Sequence, residues 1–409
     1  MNGPEWVGDG GQSNMHVVMT YPAHLALRGG DWAAAARRGG ADVTEVVLAD
    51  TLGTPAHPTV PWLAQPASRR YVIELPPARK PRKYAKRLDE RIREALNIVA
   101  DHHGAIDLLH THSAAHSTFA SRVVADLELP HLHSDESGKP NTSSFGDVYE
   151  AADVIRTFAG DHTAHSLPDA HRDRLRSIPT PIDSSVEGAE RQLAALGGAD
   201  SPLASPGEPW LAAIRPRKIV WRGNLASDEA LTMVNAFAAL RFTGTQLDMV
   251  GRDDADHEIK NLAVRLGLEG RLVVRPTGTP REMAQIIAQS DILVIGDNDP
   301  LLEREAMTAL LLGTPVVTPS SVTYDELINT DLGAIVDPGD TEGVVLAIRQ
   351  VAVVDVHNRR AMTARASRHT LAAVGSVLAD VYHELAYGEA RPVPKMRVID
   401  GTDGRQIAS

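Results

Sequence analysis

The sequence predicts an α/β protein made of two Rossmann-like, doubly wound domains. Short apolar runs alternate with amphipathic helices along most of the chain, which is typical of parallel sheets covered by helices. A segment rich in Gly, Ser and Pro interrupts this alternation at residues 197–210, and the alternation then restarts. The 409 residues, of which 43% are hydrophobic, are enough for two domains that each have a core.

The first domain is expected to comprise residues 1–196, with 197–210 as the linker that follows it. Its strands are predicted where apolar residues form short runs, at 16–20, 43–48, 106–110 and 130–133. Apolar residues at helical spacing predict a helix over 84–99. Further helices are predicted before the second strand, where alanine is abundant, and at 117–127.

The second domain is expected at residues 211–370. Its strands are predicted at 218–221, 247–250, 271–274, 291–295, 315–317 and 333–336. Ser227 is the expected N-cap of one helix, and Thr279 to Glu282 form a capping box with Pro280 at the first helical position. A short helix is predicted at 305–312, a closing helix at 371–389 and a loose tail at 390–409.

Composition excludes several classes of protein. The chain has no cysteine, which rules out disulfides, thiolate zinc sites, iron–sulfur clusters and cysteine nucleophiles. There is no run of eighteen apolar residues and no secretory signal at the start, so the expected location is the cytoplasm. The net charge of −12 argues against a nucleic-acid partner.

One basic segment departs from this overall charge. Six cations fall within nine residues: Arg79, Lys80, Arg82, Lys83, Lys86 and Arg87. The favoured interpretation is a solvated loop that runs into a helix, with neighbouring carboxylates as counter-charges. The alternative is a contact surface for an anionic membrane or an anionic acceptor.

A series of short motifs runs through the second domain in a fixed order. It comprises Val250-Gly251, Gly267-Leu268, the helix start at 279–283, the strand at 290–294, Glu305-Ala306-Met307, Gly313-Thr314-Pro315-Val316-Val317, and the segments 325–328 and 333–340. In order and spacing this series resembles the retaining glycosyltransferases of the large family four, which have the GT-B fold.

The resemblance implies two Rossmann-like domains with a cleft between them. It implies metal-independent transfer of a sugar, with retention of configuration, from a nucleotide sugar of the UDP or GDP type. The nucleotide sugar is a co-substrate, so no other cofactor is expected. Because no export signal is found and the composition is that of a soluble protein, a small-molecule acceptor is expected, as in natural-product biosynthesis. Whether the protein forms a homo-oligomer stays open.

The first domain resembles the family more loosely. The segment 107–112 is similar to the family's strand that ends in histidine, and 178–183 is similar to the segment that leaves the first domain. Gly29-Gly30 are candidates for the glycine pair that brings backbone amides to the donor phosphate. A plain turn is the alternative, because Gly39 follows only ten residues later.

The family's phosphate-binding cations are replaced here. The family has an arginine directly after a glycine and a lysine a few residues later; here Asn224 follows Gly223, and Glu229 stands near the lysine position. Arg222 is the candidate cation for the donor diphosphate, and Arg252 is another, as are Arg215, Arg217 and Lys218. Gly223 and Asn224 are further candidate donor-binding residues. Whether the diphosphate is bound as in the family is therefore an open question.

Two carboxylates match a second family feature. The family has two glutamates, of which the first contacts the transferred sugar and the second the ribose; Asp297 and Glu305 have the same spacing. Anchoring the comparison on Gly313 would instead select Pro300 and Thr308. The structural alternative is an exposed acidic loop at a helix start, where the helix dipole favours carboxylates.

Histidines cluster at the ends of two predicted strands of the first domain. His110 and His112 are candidate acceptor-binding residues, because ligands bind at strand carboxyl ends in α/β folds. In the next loop, His133, Asp135 and Glu136 are candidate catalytic residues, with Glu136 at the position of the family's histidine. A metal site is the disfavoured alternative, because His-x-His alone is a weak metal signal.

Two other functions remain as alternatives. One is a GT-B protein with unusual acceptor chemistry, transferring to nitrogen or sulfur or coupling a pseudo-sugar. The other is a non-catalytic scaffold that has lost donor binding, for which the changes at Asn224 and Glu229 are the argument.

Overall fold

The computed structural model describes residues 15–22, 26–50, 69–75, 81–112, 127–134, 151–157, 173–182, 216–252, 256–297, 299–320, 322–328, 333–353 and 356–388. The chain divides into two compact units, one of Met1–Pro181 with Leu371–Ser409 and one of Ile182–Thr370. The predicted linker at 197–210 lies outside the described residues and stays a prediction.

The first unit contains a parallel sheet of seven strands. The strands are β1 His16–Pro22, β2 Asp42–Asp50, β3 Arg70–Leu75, β4 Leu108–His112, β5 His131–Ser134, β6 Val154–Thr157 and β7 Leu175–Ser177. Their order is β3-β2-β1-β4-β5-β6-β7, so the winding reverses between β1 and β4. Helices α1 Ala26–Arg38 and α2 Pro81–His103 belong to the same unit.

The second unit contains a parallel sheet of six strands. They are β8 Lys218–Asn224, β9 Gln246–Arg252, β10 Leu272–Pro276, β11 Ile292–Ile295, β12 Val316–Thr318 and β13 Gly333–Ile335. The helices are α3 Asp228–Leu240, α4 Asp256–Arg265, α5 Pro280–Ala288, α6 Pro300–Leu311, α7 Val322–Leu327, α8 Thr341–Val351 and α9 Val356–Ala366. The order β10-β9-β8-β11-β12-β13 puts the reversal between β8 and β11.

Both sheets have the order of a Rossmann fold, so the predicted fold class is confirmed. In such a fold, ligands bind outside the carboxyl ends of the strands, at the point where the winding reverses. The reversal points are the ends of β1 and β4 in the first unit and of β8 and β11 in the second. A ligand site is therefore expected at these two places.

The predicted helix starts at Ser227 and Thr279 are confirmed. The Ser227 side chain accepts from the amide of Ala230, and Thr279 and Glu282 form the reciprocal capping box. The helix predicted at 305–312 is wrong at its start, since α6 begins at Pro300. Proline is suited to a first helical position because it has no amide to leave unpaired.

Three strands of the first sheet, β3, β6 and β7, have no counterpart among the predicted strands. They lie in the outer part of the sheet, and β6 and β7 have only four and three residues. A short outer strand with Arg156 or Arg176 at its centre carries no apolar run, which is the feature that sequence patterns detect.

The closing helix is α10, Leu371–Tyr387, which packs into the first unit. Its apolar side is part of the same core as Trp32 of α1 and Leu108 of β4. A Cβ on Gly375 would lie 2.3 Å from the carbonyl oxygen of Ala35, and one on Gly39 would lie 2.2 Å from the carbonyl oxygen of Gly375. The two helices therefore meet backbone to backbone, and glycine is required at the contact.

None of the helices in the described ranges combines the length and apolar character that a membrane crossing needs. Of the basic segment, residues 81–87 form the start of α2, and their side chains lie outside what the structure describes. Membrane contact through this segment stays untested.

Candidate functional site

The carboxyl ends of β8, β9 and β11 meet at the reversal point of the second sheet, where two glycines contact Trp221 and a third contacts the backbone of β8. A Cβ on Gly223 would lie 2.7 Å from the indole ring, and one on Gly296 would lie 2.6 Å from it. A Cβ on Gly251 would lie 2.4 Å from the carbonyl oxygen of Gly223. Gly223, predicted to bind donor, is thus required by the packing of the indole.

Arg222 follows Trp221 on β8, and its side chain is only 5% exposed. Its Nε and Nη2 donate to the two carboxylate oxygens of Glu305, with 2.6 Å between Nη2 and Oε1. Its Nη1 donates to the carbonyl oxygen of Val250 at 2.7 Å and to the Thr277 hydroxyl at 3.1 Å. A single guanidinium thus ties together β9, the segment after β10, and α6.

Glu305 lies in the second turn of α6, and its side chain is 16% exposed. An ionised carboxylate has about four lone-pair positions, of which Arg222 uses two. Glu305 therefore keeps acceptor capacity at the end of β8. Sequence analysis assigned Arg222 and Glu305 to separate donor contacts; the structure brings them together as an ion pair.

Asn224 ends β8 and is exposed. Its Oδ1 accepts from the amide of Ala226 at 2.8 Å, and its carbonyl accepts from the amide of Ser227 at 3.1 Å. The side chain at the family's arginine position therefore shapes the turn into α3. Arg252 ends β9 opposite Asn224 in the strand register.

Glu229, near the position of the family's lysine, lies in the first turn of α3, where the helix dipole favours a carboxylate. No ion pair joins it to another residue of the described ranges.

Asp297 follows β11 and is exposed. Asp297 is one of four carboxylates close enough to act on buried Tyr324 of α7. Burial raises the pKa of the Tyr324 hydroxyl well above its usual range, and the negative charges of these carboxylates raise it further. These are Glu303, Glu305, Asp299 and Asp297. Asp297 and Glu305 thus share one electronegative region. Thr308, the alternative to Glu305, is buried and donates to the carbonyl of Arg304 within α6.

Gly29 and Gly30 lie inside α1, so the plain turn considered for them is wrong. A Cβ on Gly29 would lie 2.4 Å from the ring of Tyr21, whereas one on Gly30 would come no closer than 3.9 Å to an Arg70 nitrogen. Gly29 is therefore needed for the contact between α1 and β1. Contact of the pair with donor phosphate stays a prediction.

Beneath Gly29 lies a buried carboxylate that sequence reasoning missed. Glu45 accepts hydrogen bonds from the Tyr21 hydroxyl, from Arg37 at 2.8 Å and from Arg70 at 2.6 Å. Burial alone would raise the pKa of Glu45, but these hydrogen bonds and the arginine charges hold it below its usual value. The available signal was a glutamate in the middle of the apolar run at 43–48.

The histidines of β4 and β5 lie inside the first unit. His110 is fully buried, with Nδ1 at 2.8 Å from the Tyr382 hydroxyl and Nε2 at 2.8 Å from the Ser134 hydroxyl. The rings of His110 and His112 are 4.2 Å apart, and each lies 5.5 Å from the ring of Trp32.

The opposite face of the sheet carries a second pair. The Thr111 hydroxyl lies 2.8 Å from His131 Nε2 and 2.9 Å from His133 Nδ1. Both rings are 0% exposed. Because every one of these imidazoles is enclosed in the unit, roles for His110 and His112 in acceptor binding and for His133 in catalysis stay predictions. Asp135 and Glu136 lie outside the described residues.

Burial also controls the charge of these histidines. Burial, together with a smaller effect of the neighbouring His133, lowers the pKa of His131 from its ordinary value of 6.5 to about 3. It lowers the pKa of His110 well below its usual range, with His112 adding to the effect. The rings of His110 and His131 are therefore neutral at pH 7. Within the described ranges, no three ligand-type side chains are grouped to hold a metal ion.

The lowered pKa of His131 predicts that the free energy of unfolding depends on pH. Between pH 6.5 and about 3 the unfolded chain protonates His131 while the folded chain does not, so the free energy of unfolding falls as pH falls. Each such histidine contributes a slope of about 1.4 kcal/mol per pH unit. Urea unfolding at pH 7 and pH 5 measures it. We expect His131→Gln to reduce the slope and His257→Gln, at an exposed site, to leave it unchanged; equal slopes in all three proteins would contradict the assignment.

With this geometry established, comparison with known proteins identifies related folds. Residues 216–352, which span most of the second unit, match the protein family described as glycosyl transferases group 1. No curated protein matches the chain.

Solved structures match over almost the whole chain. A glycosyltransferase from Rickettsia africae is 15% identical, with a TM-score of 0.62, covering 92% of this chain and 100% of that one. HepE from Anabaena, solved with UDP and glucose, is 14% identical, with a TM-score of 0.56 and coverage of 91% and 100%. Sucrose-phosphate synthase from Thermosynechococcus elongatus is 15% identical, with a TM-score of 0.56 and coverage of 92% and 100%. The predicted GT-B fold is confirmed.

Proposed function

We propose that this protein is a glycosyltransferase that moves a sugar from a UDP- or GDP-type nucleotide sugar to a small-molecule acceptor. The observation that carries the proposal is the partly exposed Glu305 carboxylate, held by Arg222 at the reversal point of the second sheet. It lies within the segment that matches glycosyl transferases group 1. The structure of HepE with UDP and glucose supports a nucleotide sugar as the donor.

In this proposal the carboxylates bind the uncharged parts of the donor. Glu305 has acceptor lone pairs left for ribose hydroxyls, which are hydrogen-bond donors. Exposed Asp297, in the same electronegative region, is proposed to contact the transferred sugar. Both roles follow the resemblance to the family's two glutamates.

The departing diphosphate needs stabilisation as negative charge develops on it. Backbone amides at a helix N-terminus can supply this, and α3 begins directly after the turn shaped by Asn224. Arg252 is proposed as an additional cation. Because these groups need no metal ion, the proposal keeps transfer metal-independent, and by resemblance it keeps retention of configuration and a cytoplasmic location.

The acceptor is proposed to bind at the carboxyl ends of β4 and β5. Asp135 and Glu136 follow β5 directly and are the proposed catalytic candidates. His110, His112 and His133 lie in β4 and β5 and are proposed to position the carboxyl ends of these strands for the acceptor. A carboxylate at the family's histidine position keeps transfer to nitrogen or sulfur as an alternative acceptor chemistry.

A non-catalytic scaffold is the second candidate function. The observation that favours it is the pairing of Arg222 with Glu305, together with Asn224 at the family's arginine position. Because of the ion pair and this substitution, fewer cations are available for a diphosphate than in the family. A scaffold would bind no nucleotide.

Thermal unfolding with UDP, GDP, ADP and dTDP separates the two functions. A ligand at about a hundredfold over its dissociation constant stabilises the native state by about 2.7 kcal/mol. We expect one of these nucleotides to raise the melting temperature, and that nucleotide identifies the base of the donor. No shift with any of the four would contradict the glycosyltransferase proposal and favour the scaffold.

A further inference from the structure

We propose that Arg222 is a positioning residue, which holds the Glu305 carboxylate in one orientation, and that it is not a cation for the donor diphosphate. This inference rests on the proposed function, because it names the part of the donor that the Arg222–Glu305 pair recognises. It replaces the role of phosphate ligand that the sequence predicted for Arg222.

The guanidinium is enclosed by its partners. Of its five N–H groups, Nε and one at Nη2 donate to Glu305, and both at Nη1 have acceptors, in Val250 and Thr277. Four of the five N–H groups thus have acceptors within the protein, and the Arg222 side chain is only 5% exposed. The geometry therefore leaves little of this guanidinium for an anion.

The exposure of the two partners points the same way. The Arg222 side chain is 5% exposed and the Glu305 side chain 16%, so the accessible side of the pair is the carboxylate. The two opposite charges offset each other, and the more exposed partner is the carboxylate, whose oxygens are hydrogen-bond acceptors. Such a surface favours a hydroxyl group over a phosphate, which has only acceptors and negative charge.

The two-point contact between Arg222 and Glu305 also fixes the carboxylate before any ligand binds. Two parallel N–H···O bonds hold both oxygens, so the free lone pairs point in set directions. A carboxylate fixed in this way suits two neighbouring hydroxyls, such as those of a ribose. Arg222 would thus act on the nucleoside, through Glu305, and not on the phosphates.

The test compares a nucleoside with its monophosphate and diphosphate, using the base that the thermal panel identifies. Calorimetric dissociation constants are measured for the native protein, Arg222→Gln, Arg222→Lys, Glu305→Gln and the double variant Arg222→Gln/Glu305→Gln. Arg275→Gln is the matched control, since Arg275 forms an arginine–carboxylate pair with Asp248 in the same unit.

We expect Arg222→Gln to weaken all three ligands by the same factor, about tenfold or more, because each loses the fixed carboxylate. Arg222→Lys should weaken them similarly, since an ammonium cannot make the two-point contact. The double variant should bind no more weakly than the weaker single variant, and Arg275→Gln should bind as the native protein does.

Two results would overturn the inference while the proposed function stands. One is a loss confined to the diphosphate and rescued by Arg222→Lys, as expected of a phosphate cation. The other is additive losses in the double variant. If the native protein binds none of the ligands, the proposed function fails instead.

A second cycle tests the pairing without any ligand. Urea unfolding of the native protein, Arg222→Gln, Glu305→Gln and the double variant is expected to show strongly non-additive midpoints for the two single variants. Additive midpoints would overturn the pairing itself.

Discussion

Replacing Glu305 by alanine is expected to lower the affinity for the donor nucleotide by about tenfold to a hundredfold. Hydrogen bonds to a charged group contribute about 1.5–3 kcal/mol, and each 1.4 kcal/mol is a factor of ten in affinity. In the structure Glu305 is the partly exposed partner of a buried arginine, so its removal takes away the acceptors that face a ligand. Isothermal calorimetry with the nucleotide identified by the thermal panel measures the loss.

Stability must be separated from binding in this variant. Removing Glu305 leaves Arg222 buried without its carboxylate, which costs about 3–5 kcal/mol of folding free energy. Binding is therefore measured at a temperature at which circular dichroism shows the variant folded. Glu258→Ala, at an exposed glutamate of α4, is the control and should bind normally. Unchanged affinity in Glu305→Ala would place the nucleotide elsewhere.

Replacing Gly375 by valine is expected to destabilise the first unit by about 3 kcal/mol or more. The new Cβ would lie 2.3 Å from the carbonyl oxygen of Ala35, and backbone cannot move aside as a side chain can. To relieve the clash, α10 must shift away from α1. That shift would expose core side chains worth about 1.5–3 kcal/mol each, including Val374, Leu378 and Tyr382.

The matched control is Ser376→Val, which places the same side chain on the next residue of α10, where the surface is exposed. Its effect should stay within about 0.5 kcal/mol, as for most surface substitutions. Urea unfolding followed by circular dichroism measures both variants. Equal destabilisation would show that β-branching in the helix is responsible and that the backbone contact is not.

The Rossmann architecture was predictable because buried parallel strands carry continuous apolar runs. The runs at 16–20, 218–221 and 291–295 all lie in strands that flank the reversal points of the two sheets. The start of α5 at Thr279 was also predictable, because the residues that form its capping box are close together in the sequence. The start of α6 was missed because its first turn carries Pro300 and Glu303, which read as part of an acidic loop.

The site was less predictable, since its contacts join residues far apart in sequence. The motif series indicated Glu305 and the end of β8, but no local pattern shows that Arg222, 83 positions away, donates to that carboxylate. Likewise, Gly29 and Gly223 were both predicted to bind the donor, whereas the rings of Tyr21 and Trp221 explain why no Cβ fits at these positions. A glycine motif alone does not say which neighbour requires it.

Release of nucleoside diphosphate from UDP- and GDP-sugars tests the central claim most directly. The native protein is incubated with each nucleotide sugar in the presence of a mixture of small hydroxyl, amine and thiol acceptors, and the freed UDP or GDP is measured. The account predicts protein-dependent release with one class of donor, reduced at least tenfold in Glu305→Ala and unchanged in Glu258→Ala. Release that is equal in Glu305→Ala and the native protein, or no release with any donor, would contradict it.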